Sequence, residues 1–153
     1  MKAEFITLIS EFTRRFSSTR RSARLARHLV VERLDAWGIP PTSVPSDIAA
    51  VIVGELAANA VTHGRGPDHD FEVRLVLTAE SIRIEVADGR TGKRPDTALR
   101  QPPADAESGR GLLMLEALAA RWGVSDRDGR PGKVVWAEVP RPPVPAPADR
   151  ARP

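Results

Sequence analysis

The sequence predicts an α+β two-layer sandwich, a mostly antiparallel sheet with helices on one face. Three observations predict it. Two stretches of helical period come early, over residues 17–37 and 46–63. Two stretches of strict alternation follow as a hairpin, Phe71–Leu77 and Ile82–Val86. A last helix and two more alternating stretches close the chain ahead of a proline-rich tail.

Taken in order, Glu11 to Phe16 alternate well enough for a short first strand. Ser17 to Thr19 supply capping residues for a helix that runs to about Trp37. Its inner face is Ala26, Leu29, Val30, Leu34 and Trp37. Gly38 and the pair Pro40–Pro41 stop it. Ser46, preceded by Pro45, reads as the N-cap of a second helix with the apolar stripe Ile48, Ile52, Leu56 and Ala60. Gly64 reads as its stop.

The period then changes from helical to alternating. Phe71, Val73, Leu75 and Leu77 face one way, as do Ile82, Ile84 and Val86, and Thr78–Ser81 form the turn between them. Gly89–Ser108 is rich in Gly, Pro and charge and has no period, which fits a lid that orders around a ligand. A third helix is expected from Leu112 to about Arg121, then strands at Trp122–Asp126 and Val134–Val139 with a turn at Asp128–Gly132.

The 153 residues are enough for one domain with a real core, and their 41% hydrophobic and 28% charged content is ordinary for a folded protein. Residues 1–139 are expected to form that domain. The stretch 140–153 holds 6 of the 14 prolines and is expected to be extended or disordered. With no Cys and 3 His, disulfides, thiol catalysis and histidine-rich metal sites are excluded. No apolar run reads as the roughly 20 residues of a membrane helix, and Phe5–Ile9, flanked by Glu4 and Glu11, does not read as a signal peptide. A cytoplasmic protein without membrane contact is expected.

The net charge is only +3, although 20 Arg stand against 3 Lys. Arg14, Arg15, Arg20, Arg21, Arg24, Arg27 and Arg33 crowd the first strand and helix. They fit a surface for an acidic partner or nucleic acid, or a solvated helix face. Glu32 and Asp35 close behind, and the lack of interleaved aromatics, favour the solvated face, and direct nucleic-acid contact is not expected.

Glu55, Asn59 and His63 stand at i, i+4 and i+8 and share one face of the second helix, beside its apolar stripe. Such groups serve either a ligand or an interhelical hydrogen bond. Asp88 continues the phase of Ile82, Ile84 and Val86, so it ends an inward row as a carboxylate able to accept from a ligand amino group, or it is a turn Asp before Gly89. Gly109-Arg110-Gly111-Leu112 enters the third helix, where backbone N–H groups and an Arg suit phosphate, or it is a plain helix entry.

Four separated stretches together are more specific: GELAANAVTHG, IEVADGR, ESGRGLLMLEALAARWGV and GKVVWAEV. They resemble the nucleotide-binding ATPase superfamily of gyrase, histidine kinases and MutL. Over residues 11–139 the chain looks most like its small single-domain branch, the bacterial anti-sigma-factor serine/threonine kinases of actinobacterial type. FSSTRRSARLARHLVVERLDAWG, from Phe16 to Gly38, resembles that branch's first helix.

The resemblance implies ATP and Mg²⁺ as ligands. It implies that Asn59 holds the metal, that Glu55 is the general base, and that Asp88 accepts the adenine amino group. Gly109, Arg110, Gly111 and Leu112 would line the phosphates, with Gly92 also on the nucleotide. The superfamily pattern after the strand Asp is often Asp-x-Gly-x-Gly, whereas here Asp88-Gly89-Arg90-Thr91-Gly92 puts Arg90 at the middle Gly. A late Gly-Thr appears as Gly132-Lys133. The implied substrate is an anti-anti-sigma-type regulator protein, with a sigma factor as second partner and a homodimer as the assembly. The competing reading is an ATP-binding module that grips a partner with little or no turnover.

Overall fold

A computed structural model describes residues 8–63, 69–88, 106–127 and 132–141. Strand β1 (Leu8–Ser17) is followed by helices α1 (Arg20–Ala36) and α2 (Val44–His63). The hairpin β2 (Asp70–Thr78) and β3 (Ser81–Asp88) comes next, then α3 (Ala106–Leu118), β4 (Arg121–Asp126) and β5 (Lys133–Pro140). The strands form one five-stranded sheet in the order β1-β2-β3-β5-β4, with every neighbouring pair antiparallel. This is the expected α+β architecture.

The hairpin follows directly from alternation. Phe71, Val73, Leu75 and Leu77 on β2 and Ile82, Ile84 and Val86 on β3 are all buried on the helix-facing side. Thr78 closes the turn, its Oγ1 accepting the Ser81 N–H at 3.1 Å and the Glu80 N–H at 3.3 Å. From the helices, Ala26, Val30 and Leu34 of α1, Ile52, Val53 and Leu56 of α2 and Leu115 of α3 complete one core. Phe16 on β1 stacks on Phe71 with ring centroids 5.2 Å apart, which ties the edge strand to that core.

Helix α1 starts where the capping residues indicate. Thr19 is extended at φ −134 and ψ 158, and its Oγ1 accepts the Ser22 N–H at 3.0 Å. Thr19→Ala is expected to cost about 1 kcal/mol, read as a lower urea midpoint at unchanged slope.

Helix α2 corrects an expectation. Its cap is Ser43, not Ser46. The Ser43 hydroxyl donates to the Pro40 carbonyl at 2.6 Å and accepts the Ser46 N–H at 3.4 Å. Pro45 therefore falls inside the first turn, where its missing N–H leaves no bond unmade, and Ser46 is buried. Val44–Thr62 is also long and apolar enough by composition to cross a membrane, contrary to the sequence reading. Here it is the central core helix, packed between α1 and the sheet.

Two boundaries move at the other end of the fold. Helix α3 begins at Ala106 rather than Leu112, so Ala106–Ser108 are helical and the glycines at 109 and 111 lie inside the helix. Arg121 belongs to β4, not to the helix. The rest of the expected lid, Gly64, the turn residues 128–131 and the tail from 142 onward lie outside the described residues. At the last described position, the Arg141 N–H donates to Glu80 O at 3.1 Å and its guanidinium to Thr78 O, also at 3.1 Å.

The helices cover one face of the sheet. The other carries a continuous run of ion pairs that visits the strands in their spatial order. Glu11 on β1 meets Arg74 on β2 at 2.9 Å, and Arg74 meets Glu85 on β3 at 3.4 Å. Glu85 meets Arg83 at 2.8 Å, Arg83 meets Glu138 on β5 at 2.9 Å, and Glu138 meets Arg121 on β4 at 2.9 Å. The Arg74 guanidinium is held above its ordinary pKa, first by its hydrogen bond to Glu11 and then by Glu85, against the opposing effect of burial. Trp136 lies in the same layer, with Arg83 4.2 Å from its ring centroid, and its indole fills the space above Gly123.

Candidate functional site

The helical repeat places Glu55 and Asn59 one turn apart on α2. Both are half-buried. On one side they meet α3. A Cβ built on Gly111 would stand 3.0 Å from the Asn59 side-chain nitrogen and 3.7 Å from Glu55 Cγ. A side chain at that position would press on the Asn59 amide, so glycine lets the α3 backbone approach the pair closely. Gly111 is thus joined to Glu55 and Asn59 in space, 52 residues after Asn59 in the chain.

On the other side the pair opens on a cleft of about 870 Å³ between α1 and α2. Its α2 wall includes Gly54, Glu55, Ala58, Asn59 and Thr62, and its α1 wall includes Arg20, Arg24 and Arg27. The arginines stand at i, i+4 and i+7, one stripe of the helix. The Arg27 stem crosses Gly54, its Cδ 3.5 Å from where a Cβ would be. Ser18 also lines the cleft, and its Oγ is buried with no hydrogen-bond partner among the described residues. The cleft therefore combines a carboxylate, an amide oxygen, three guanidinium groups and an unsatisfied hydroxyl. That set accommodates an anion against the arginines and a hydroxyl or a cation against Glu55 and Asn59.

Asp88 is not among the cleft residues. It ends β3 opposite Phe71 of β2, in the inward phase the alternation predicts. Its carbonyl is gripped from the β4–β5 side. Arg127 Nη1 donates to it at 3.0 Å. Gly132, at φ +107, brings its backbone so close that a Cβ would run into the Asp88 carbonyl oxygen.

Gly109, Arg110 and Leu112 sit in the early turns of α3 with Gly111, while Gly92 lies outside the described residues. Among the described residues no group of three His, Asp or Glu could hold a metal by itself. A Mg²⁺ at Asn59 would therefore draw most of its ligands from phosphate oxygens and water. The donor set fits that use: a hard amide oxygen on α2, close to the α3 backbone at Gly111.

Sequence reasoning did not single out Arg127 or assign Arg20, Arg24 and Arg27 to the cleft. The arginine stripe was legible from its spacing, but its facing α2 was not. Arg127 carries no local signal.

A family model described as histidine kinase-like ATPase domain matches residues 16–139. No curated protein matches the chain.

Proposed function

The chain belongs to the histidine kinase-like ATPase domain family, and from that membership we propose that it is a protein serine/threonine kinase. In this reading it binds Mg·ATP and phosphorylates a regulator protein of the anti-anti-sigma type, with a sigma factor as a second partner. The carrying observation is the two-sided setting of Glu55 and Asn59, with Gly111 of α3 on one side and the arginine-walled cleft on the other. ATP supplies the phosphoryl group, and Asn59 would hold a Mg²⁺ that would supply charge neutralisation at the phosphates. Gly109, Arg110, Gly111 and Leu112 line the phosphate side, and Asp88 accepts the adenine amino group.

Glu55 takes the proton of the acceptor Ser or Thr as that oxygen bonds to phosphorus and ADP leaves. The cleft leaves room for the acceptor segment beside Glu55, and Arg20, Arg24 and Arg27 favour a segment with acidic residues. An inert ATP-binding module would use the same pocket. The presence of Glu55 favours the kinase, because a module needs no base, whereas Asn59 serves both readings.

The first test is thermal unfolding with Mg·ATP. A ligand bound only by the native state adds about 2.7 kcal/mol at a hundredfold excess over Kd, read as a raised midpoint that GTP does not match. No shift at millimolar ATP would refute nucleotide binding. The second test is transfer of labelled phosphate to regulator proteins that the chain binds. If ATP binding holds and no bound partner is ever labelled, the module reading replaces the kinase.

A further inference from the structure

We infer that Arg127 is a positioning residue for nucleotide-base selection, acting through the Asp88 main chain. The inference rests on the ATP reading above, in which Asp88 accepts the adenine amino group. Three observations carry it. First, the β3–β5 ladder ends at Ala87–Val134, so Asp88 is the residue just past that pairing. Its carbonyl takes the Arg127 guanidinium as donor at 3.0 Å, a side chain standing in for the next rung. Second, the Arg127 side chain is only 9% exposed and is braced from the sheet, its Nη2 lying 3.6 Å from Glu72 Oε1 on β2. Third, Arg127 is tied to the same turn as Gly132. Its N–H donates to Gly132 O at 3.4 Å, and Gly132 packs on the Asp88 carbonyl.

The peptide plane of the last β3 residue is therefore fixed from β4, β5 and β2 together. With its backbone held by this carbonyl contact and by the pairing with Phe71, Asp88 moves its carboxylate through χ1 and χ2 alone, which narrows the carboxylate's reach. Hydrogen bonds and ion pairs that share a group reinforce one another. Arg127 is the shared group here, between Glu72 and the Asp88 carbonyl. A lysine retains the charge but lacks the planar fork needed to reach Glu72 and the Asp88 carbonyl at once. The face that discriminates adenine from guanine would thus depend on a residue that never touches the base.

The experiment titrates Mg·ATP and Mg·GTP against the full chain, against Arg127→Ala, Arg127→Lys and Glu72→Gln, with thermal unfolding of each without nucleotide. For Arg127→Ala, ATP affinity is expected to fall about tenfold, the size of one charge-assisted hydrogen bond, with GTP affinity unchanged. The ATP:GTP ratio therefore narrows about tenfold. Arg127→Lys is expected to fall between Arg127→Ala and the unmodified chain. Glu72→Gln, which leaves Arg127 in place, is expected to narrow the ratio about threefold, and it carries the test if Arg127→Ala does not fold. A purely structural Arg127 lowers the midpoint and weakens both nucleotides equally, and that result overturns the inference, as does an unchanged ratio. If the unmodified chain prefers neither nucleotide, the ATP reading fails and this inference with it. If it prefers ATP and the variants keep that preference, only the role of Arg127 fails.

Discussion

Glu55→Gln is expected to slow phosphoryl transfer to the partner protein by about 10²–10⁴-fold, the usual contribution of a general base, and to leave Mg·ATP affinity unchanged. The substitution keeps the size and the amide-compatible contacts of the side chain. Gly111 still finds the same Cγ beside it at 3.7 Å, so the α2–α3 packing is preserved. What is lost is a proton acceptor on the cleft side. Single-turnover transfer from γ-labelled ATP, beside a nucleotide titration of the same preparation, separates the two quantities. Transfer at the unmodified rate would remove Glu55 from the chemistry. Loss of ATP binding in parallel would make it a ligand-binding residue instead.

Gly132→Ala is expected to destabilise the fold by roughly 3 kcal/mol. A residue with a Cβ held at positive φ costs about 1–3 kcal/mol by itself, and Gly132 sits at φ +107. The new methyl would also meet the Asp88 carbonyl oxygen and lie 3.3 Å from Arg127 Cδ. Backbone cannot yield as a flexible side-chain end does, so the β5 entry or the end of β3 must shift. The folded fraction of this variant should bind ATP more weakly, because the displaced group is the Asp88 peptide. Urea unfolding monitored through the tryptophans gives the first quantity, and nucleotide titration well below the midpoint gives the second. Unchanged stability would mean that this turn accommodates a side chain by changing conformation.

The parts of the fold that were legible in the sequence are those set by local period. β2 and β3 alternate because one face is buried and the other wet, and their bounds came out within a residue or two. The start of α1 was legible because Ser and Thr precede a helical run. Boundaries failed where two readings compete locally. Ser43 and Ser46 are both good caps, and Pro45 favoured the wrong one, since Pro is tolerated either just before a helix or in its first turn. Gly109 and Gly111 read as breakers by propensity, yet they lie inside α3, where Gly111 serves the close approach to Asn59. The shared helix face of Glu55 and Asn59 and the inward row that Asp88 ends were legible because phase alone sets them. Arg127 was not, because its contacts lie 39 and 55 residues away in sequence, at Asp88 and Glu72. The same holds for the arginine stripe, whose meaning depends on which helix packs opposite it.

On warming, the alternating Glu and Arg side chains of the open sheet face gain weight relative to the core. A single exposed pair contributes little at ordinary temperature, because water competes for both charges. Here Arg74, Glu85, Arg83 and Glu138 each serve two neighbours, so ordering one side chain prepares two contacts. The hydration of charged groups becomes less favourable as temperature rises, while the hydrophobic gain per unit area levels off. The strands are then held edge to edge by a layer that strengthens as the layer beneath the helices stops doing so.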